Sequence, residues 1–98
     1  MVYKIIYLKE ARADVIEAKI WYKSQLVGLE KRFAKDVKIA LEKLKTFPTS
    51  HSIRFQNLRI ANLKVFPYCI YYFVDDDVVA IVAIIHSKRN SRLLKNII

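Results

Sequence analysis

Cysteine, glycine and proline are nearly absent from this chain of 98 residues, which has one, one and two of them respectively. A single cysteine, Cys69, excludes an internal disulfide and a cysteine-based zinc site, and it reads as small apolar filler in a strand. One glycine, Gly28, excludes a glycine-rich phosphate loop. Histidine occurs only as His51 and His86; His51 sits in a polar loop with no companion at metal-ligand spacing, so neither a metal nor another cofactor is expected. No apolar run approaches the roughly 20 residues of a membrane helix, and the opening MVYKIIYLKEAR lacks a small-residue cleavage site. The expectation is a soluble cytoplasmic protein without a membrane partner. Acids are scarce too, with 9 Asp and Glu against 18 Lys and Arg for a net charge of +9. Six of the nine (Glu10, Asp14, Glu17, Glu30, Asp36, Glu42) alternate with basic residues in the first 42 positions and read as solvated helix faces. Beyond Lys43 the only acids are Asp75, Asp76 and Asp77.

What the chain does contain is patterned apolar sequence. Three strands in a meander are expected at Arg59 to Phe66, Tyr68 to Val74 and Val78 to His86, rich in the β-branched and aromatic types that fit a pleated surface. Pro67 marks one corner, because it has no backbone donor. The three aspartates, which resist burial, mark the other. The last strand, VVAIVAII, is apolar throughout and belongs inside the sheet. Val2 to Leu8 is a further strand, expected beside the last one. Between them Ala11, Val15, Ala18, Tyr22 and Leu26 make one helical stripe, and Leu29, Phe33, Val37, Ala40, Leu41 and Leu44 make a second. Gly28, between the two, fits a left-handed helix C-cap. Residues 49 to 58 are the least patterned, with a possible edge strand near Ile53 to Phe55. The chain is short enough for one domain, residues 1–98. Its expected fold is α+β, a helical hairpin packed on one face of an antiparallel-rich sheet of about four strands in the order β-α-α-β-β-β.

The charge has a place as well as a sign. Lys43, Lys45, Arg54, Arg59, Lys64, Lys88, Arg89, Arg92 and Lys95 are unopposed by nearby acids, so the functional surface is expected on the sheet and the tail, facing a polyanion or an acidic protein. The bland alternative is that these charges only keep a small protein soluble.

The order of elements and several local words resemble the RelE/ParE toxin superfamily, most closely its ParE-like plasmid-stabilisation members. The words are Trp21-Tyr22, Gly28-Leu29 leading to Phe33, Pro48, Arg59, Phe66-Pro67-Tyr68, Ile70-Tyr71-Tyr72, His86 and Arg89-Asn90, covering about nine tenths of the chain. The resemblance implies a RelE/ParE-like two-layer fold and the toxin of a type II toxin-antitoxin system, held inactive by a cognate antitoxin. RelE-like members cut messenger RNA on the ribosome, whereas ParE-like members inhibit growth by binding DNA gyrase. Cutting RNA needs a proton-transfer group and cations around the phosphate. The arginine of the nuclease strand motif falls here on Cys69, two lysines fall on Ile60 and Asn62, and the C-terminal tyrosine falls near Lys95. Only Arg89 keeps its counterpart.

Alternation along the strands then assigns faces. Ala61, Leu63, Val65, Ile70, Tyr72 and Val74 should face the helices, leaving Asn62, Lys64, Cys69, Tyr71 and Phe73 on an open face. Exposed aromatics beside a cation suit a partner, so Tyr71, Phe73 and Lys64 are the expected antitoxin contacts. A cover by Leu93, Leu94, Ile97 and Ile98 is the competing explanation for the patch. Arg89, with Lys88, Arg92 and Arg59, is expected to contact the cellular target. The alternative of a ribosome-dependent endoribonuclease would use His86 as acid or base, with Arg59, Lys64 and Arg89 as cations on the phosphate. A non-toxic RNA-binding or adaptor module keeping only the fold is the third reading.

Overall fold

A computed structural model describes residues 2–89. The elements are β1 (Lys4–Tyr7), α1 (Lys9–Gln25), α2 (Leu29–Thr46), β2 (Ile53–Phe55), β3 (Leu58–Asn62), β4 (Tyr68–Asp75) and β5 (Val78–His86). The sheet has five strands in the order β1-β5-β4-β3-β2, against about four expected, the fifth being the short edge strand β2 at the place where the sequence offered a possible one. β1 runs parallel to β5, and the other neighbours are antiparallel. Asp75 and Val78 oppose one another across the two-residue turn Asp76-Asp77, with Asp76 at φ 53°, a left-handed conformation that aspartate tolerates better than most residues.

The helices cover one face of this sheet. Ala11 and Ala18 of α1 and Phe33, Val37, Leu41 and Leu44 of α2 are buried, as their spacing predicts. They pack on Ala61, Leu63, Ile70, Tyr72, Val79, Ile81 and Ile84. Leu26, the last member of the α1 stripe, is 62% exposed because the helix backbone turns extended there. Gly28 is left-handed (φ 97°) as expected, but it serves as the N-cap of α2 and not as the C-cap of α1. Its carbonyl accepts from the Lys31 and Arg32 amides, and its own N–H donates to Glu30 Oε1 at 2.7 Å.

Two aspartates expected on solvated helix faces are instead ties between helix and sheet. Asp36 is 5% exposed, and its Oδ2 accepts from the backbone N–H of Val65 (3.0 Å) and of Phe66 (2.7 Å). Those two amides are thereby taken out of any ladder, so β3 ends at Asn62 and not at Phe66. Val65, expected inward, is 66% exposed, while Phe66 enters the core. Asp14 Oδ2 accepts from the Ile84 N–H at 3.0 Å. β1 reaches only as far as Ile81 in the register, and the carboxylate supplies an acceptor where the ladder runs out.

The strand phase holds in β4: Ile70, Tyr72 and Val74 lie on the helix side, and Cys69, Tyr71 and Phe73 on the other. In β5 the register steps from Tyr71 opposite Ala83 to Tyr72 opposite Ile81, leaving Val82 as a bulge. Val82 and Ala83 both join the second face, and Ile84 returns to the helix side. This one extra residue also turns His86, two places on, toward the helices.

Candidate functional site

The expected site residues divide between two ends of β4. At its first end Tyr68 is opposite His86. Their rings are 5.3 Å apart, and Tyr68 is also 4.9 Å from Phe33. Phe33 stacks on Tyr22 at 5.4 Å between centroids, and Phe66 meets Tyr22 edge-on at 4.9 Å. Five of the residues that carry the family resemblance therefore form one continuous ring cluster, and its geometry is that of a core. Around this cluster stand Lys64, exposed in the β3–β4 turn, and Lys88, exposed in the 3-10 turn Ser87–Arg89. The Ser87 N–H donates to the Pro67 carbonyl at 2.8 Å, which ties that turn to the β3–β4 corner. His86 Nδ1 accepts the Lys88 N–H at 3.2 Å, so the neutral ring carries its proton on Nε2. Arg89 follows directly along the backbone. Arg92 lies outside the described residues, as do Lys95 and Leu93, Leu94, Ile97 and Ile98.

At the other end Arg59 is opposite Tyr72, four residues and about 13 Å along β4 from Tyr68. Arg59 is half-buried, and its Nη1 donates to the His51 carbonyl at 2.5 Å. Tyr72 is fully buried and donates its hydroxyl to the Pro48 carbonyl at 2.6 Å. Burial pushes the Tyr72 hydroxyl up to about 12, against a smaller lowering by the Arg59 guanidinium. This end is a polar lock between loop and sheet. It does not bring Arg59 to His86 or Lys64, so the four residues suggested for phosphate chemistry do not make one site.

The face that a nuclease of this superfamily would use is neutral here. Ile60, Asn62 and Cys69 lie together, Asn62 and Cys69 being register partners. The Cys69 thiol donates to Asn62 Oδ1 at 3.1 Å. Cys69 is 3% exposed, and burial raises its pKa, which keeps it a thiol. Tyr71, expected as an exposed anchor, is 0% exposed in a second apolar cluster with Leu58, Cys69 and Ala83. Phe73 is half-buried beside it. The alternation assigned the face correctly, but the face is not open at Tyr71. Among the described residues no three His, Cys, Asp or Glu side chains converge as a metal site, and no helix is long and apolar enough to cross a membrane.

Comparison with known proteins identifies the family. The family described as "ParE toxin of type II toxin-antitoxin system, parDE" matches residues 5–91. The chain belongs to the ParE toxin family. It is therefore a ParE-type toxin of a toxin-antitoxin system. Among solved structures it is similar to a chain of the chromosomal ParDE system from P. aeruginosa, with a TM-score of 0.72, 19% identity, and coverage of 87% of this chain and 96% of that one. It is also similar to a chain of the RelBE2 toxin-antitoxin complex from Mycobacterium tuberculosis, with a TM-score of 0.63, 19% identity, and coverage of 88% and 99%. At that identity the two likenesses establish the shared α+β fold. No curated protein matches the sequence. Sequence reasoning missed Asp36 and Asp14, whose partners are 29 and 70 residues away and leave no local signal.

Proposed function

We propose that this ParE-family toxin inhibits growth in the cytoplasm by binding a cellular target such as DNA gyrase, without cutting RNA, and that a cognate antitoxin neutralises it. The observation that carries the reading is the neutral Ile60-Asn62-Cys69 patch. It holds no cation to stabilise a phosphorane-like charge, and its one ionisable group is a buried thiol whose pKa is raised. The target surface is the basic end of the sheet, Lys64, Lys88 and Arg89, with Arg92 beyond the described residues. Arg89 follows Lys88 in the turn after β5, and the planar fork of an arginine suits a carboxylate or a phosphate.

A second reading, a ribosome-dependent messenger RNA endoribonuclease, is favoured by one observation: the turn that holds His86 and Lys88 is tied by the Ser87 to Pro67 hydrogen bond to the β3–β4 corner, which carries Lys64. Induction of His86→Ala and Arg89→Ala variants in cells separates the two. Binding alone predicts that Arg89→Ala abolishes toxicity while His86→Ala keeps most of it. Catalysis predicts that His86→Ala loses roughly 100-fold to 10,000-fold in cleavage rate. Cleaved transcripts in wild-type cells, together with equal loss from the two substitutions, would overturn the first reading. Full toxicity retained by Arg89→Ala would defeat both.

A further inference from the structure

Lys64 belongs to the β3–β4 corner and Lys88 and Arg89 to the turn after β5, so a shared surface requires the two segments to be held in one relation. The β4–β5 ladder does not reach that far. Its last pair is Tyr68 opposite His86, and the turn Ser87–Arg89 begins beyond it. Past that pair the Ser87 N–H donates to the Pro67 carbonyl at 2.8 Å, so the basic turn goes where Pro67 goes. Pro67 itself lies between β3 and β4 and has no N–H to give to a ladder.

What fixes the corner is a side chain of α2. Asp36 is 5% exposed, and its Oδ2 accepts the N–H groups of both Val65 and Phe66. Those groups belong to the peptide bonds from Lys64 to Val65 and from Val65 to Phe66, so the two planes that follow Lys64 are aimed at one oxygen. Successive amides converging on an anion form a nest. A carboxylate can only accept, and its burial is costly unless donors meet it, so α2 and the corner hold each other in one geometry. Among the described residues no cation pairs with Asp36, which leaves these amides as its counterpart. Phe33, one turn earlier on α2, holds the same corner by its ring, 5.4 Å from that of Phe66.

We propose that Asp36 is a positioning residue for target binding: it sets the β3–β4 corner and, through Pro67 and Ser87, the turn whose backbone carries Lys88 and Arg89. The inference rests on the toxin reading above, which assigns the target to that end. The path is short and runs through backbone, from the held Phe66 amide to the Pro67 carbonyl and on to the Ser87 N–H. Asp36 is buried and acts only through it. The bland alternative is that Asp36 satisfies two amides and governs nothing further, in which case Val65 and Phe66 alone respond to its loss.

The test compares the full chain with Asp36→Ala, Asp36→Asn and, as a control for stability, Leu41→Ala, which truncates a buried side chain elsewhere on α2. Amide hydrogen exchange is read at Ser87 and Lys88, and toxicity as the amount of induced protein that halves growth. In Asp36→Ala both amides should exchange about 10-fold faster than in the wild type, and about 10-fold more protein should be needed. Asp36→Asn keeps an acceptor oxygen without the charge and should fall between. Formate at about 50 mM should refill the nest in Asp36→Ala and slow its exchange toward the wild-type rate, while leaving the wild type and Leu41→Ala unchanged. Leu41→Ala should lose stability with neither effect. Should Asp36→Ala fail to fold, Asp36→Asn against Leu41→Ala decides alone. Faster exchange at Val65 and Phe66 with Ser87 and Lys88 unchanged would overturn the positioning role, as would an equal loss of toxicity from Leu41→Ala. Unchanged toxicity in Asp36→Ala where Arg89→Ala has lost it would overturn the role and leave the toxin reading intact. Full toxicity in Arg89→Ala would instead overturn the target surface on which the proposal rests.

Discussion

The two faces of the sheet solve the same packing problem with different materials. On the helix side, large side chains from two layers interlock, and polar groups that enter are tied to backbone: Asp36 to the Val65 and Phe66 amides, Asp14 to the Ile84 amide, the Tyr72 hydroxyl to the Pro48 carbonyl. On the second side the buried set is smaller, Leu58, Cys69, Tyr71 and Ala83, and Cys69 is held by a weak bond from its thiol to an amide oxygen. The difference bears on function. The first face is fixed by long-range bonds that a substitution would leave unsatisfied, so it can change little. The second face is tied to the rest of the fold by fewer long-range bonds, so Ile60, Asn62 and Cys69 can vary with less disturbance to the scaffold.

The largest expected effects compare one large residue from each face. Phe33→Ala removes a fully buried ring that contacts Tyr22, Phe66 and Tyr68 and should cost about 3–5 kcal/mol. Tyr71→Ala should cost about the same if the second face is a true core, since Tyr71 is equally inaccessible. Chemical denaturation of the two variants decides the matter. A loss under about 1 kcal/mol for Tyr71→Ala would return it to the status of a surface residue and restore it as an antitoxin anchor.

The next effect tests the ties themselves. Asp36→Ala leaves the Val65 and Phe66 amides without their acceptor, and it should cost about 2–3 kcal/mol. Hydrogen exchange at Val65 and Phe66 should accelerate before that of β4, because only the β3–β4 corner is released. Exchange unchanged at both amides would show that the carboxylate is not what ends β3.

That corner also marks where the sequence stopped being legible. Strand β5 was readable to the residue, because an unbroken apolar run between an aspartate turn and a polar end has few other solutions. The faces of β4 were readable from alternation alone. What alternation could not supply was the end of β3, since the side chain that terminates it sits 29 residues earlier on α2 and looks like any helix aspartate. Nor could it reveal the Val82 bulge, which an all-apolar strand conceals and which decides where His86 points. Many of the words that carried the family resemblance are packing residues. Tyr22, Phe33, Phe66 and Tyr68 are cluster residues, and Arg59 is held by the His51 carbonyl, so the resemblance identified the scaffold more sharply than the working surface.

Alkaline pH probes the helix side through one hydroxyl. With an ordinary value of 10 in the unfolded chain and about 12 in the folded one, Tyr72 binds its proton more tightly when folded. Stability from this group is complete below pH 10 and is lost as pH rises through about 12, roughly 2–3 kcal/mol in all. Tyr7, also raised by burial, changes stability in the same direction. Tyr72→Phe should cost about 1 kcal/mol at neutral pH for the lost hydrogen bond and should flatten the fall above pH 10. An identical alkaline slope in the variant would assign the loss elsewhere.

The smallest effect belongs to the second face, and it is the most discriminating. Cys69→Ala removes a small buried sulfur and a weak hydrogen bond, so its cost should stay near 1 kcal/mol or below. The thiol's reactivity is more informative than its stability contribution. Burial raises its pKa and closes access, so at pH 8 a thiol reagent such as a disulfide dye should modify Cys69 at least 10-fold more slowly than free cysteine. Adding denaturant should bring the rate up to the free value, because the barrier is the fold and not the thiol itself. A rate equal to free cysteine in the native protein would mean that the second face opens readily. The contrast between a rigid side and a covered side would then give way to one between a core and a loosely closed binding surface.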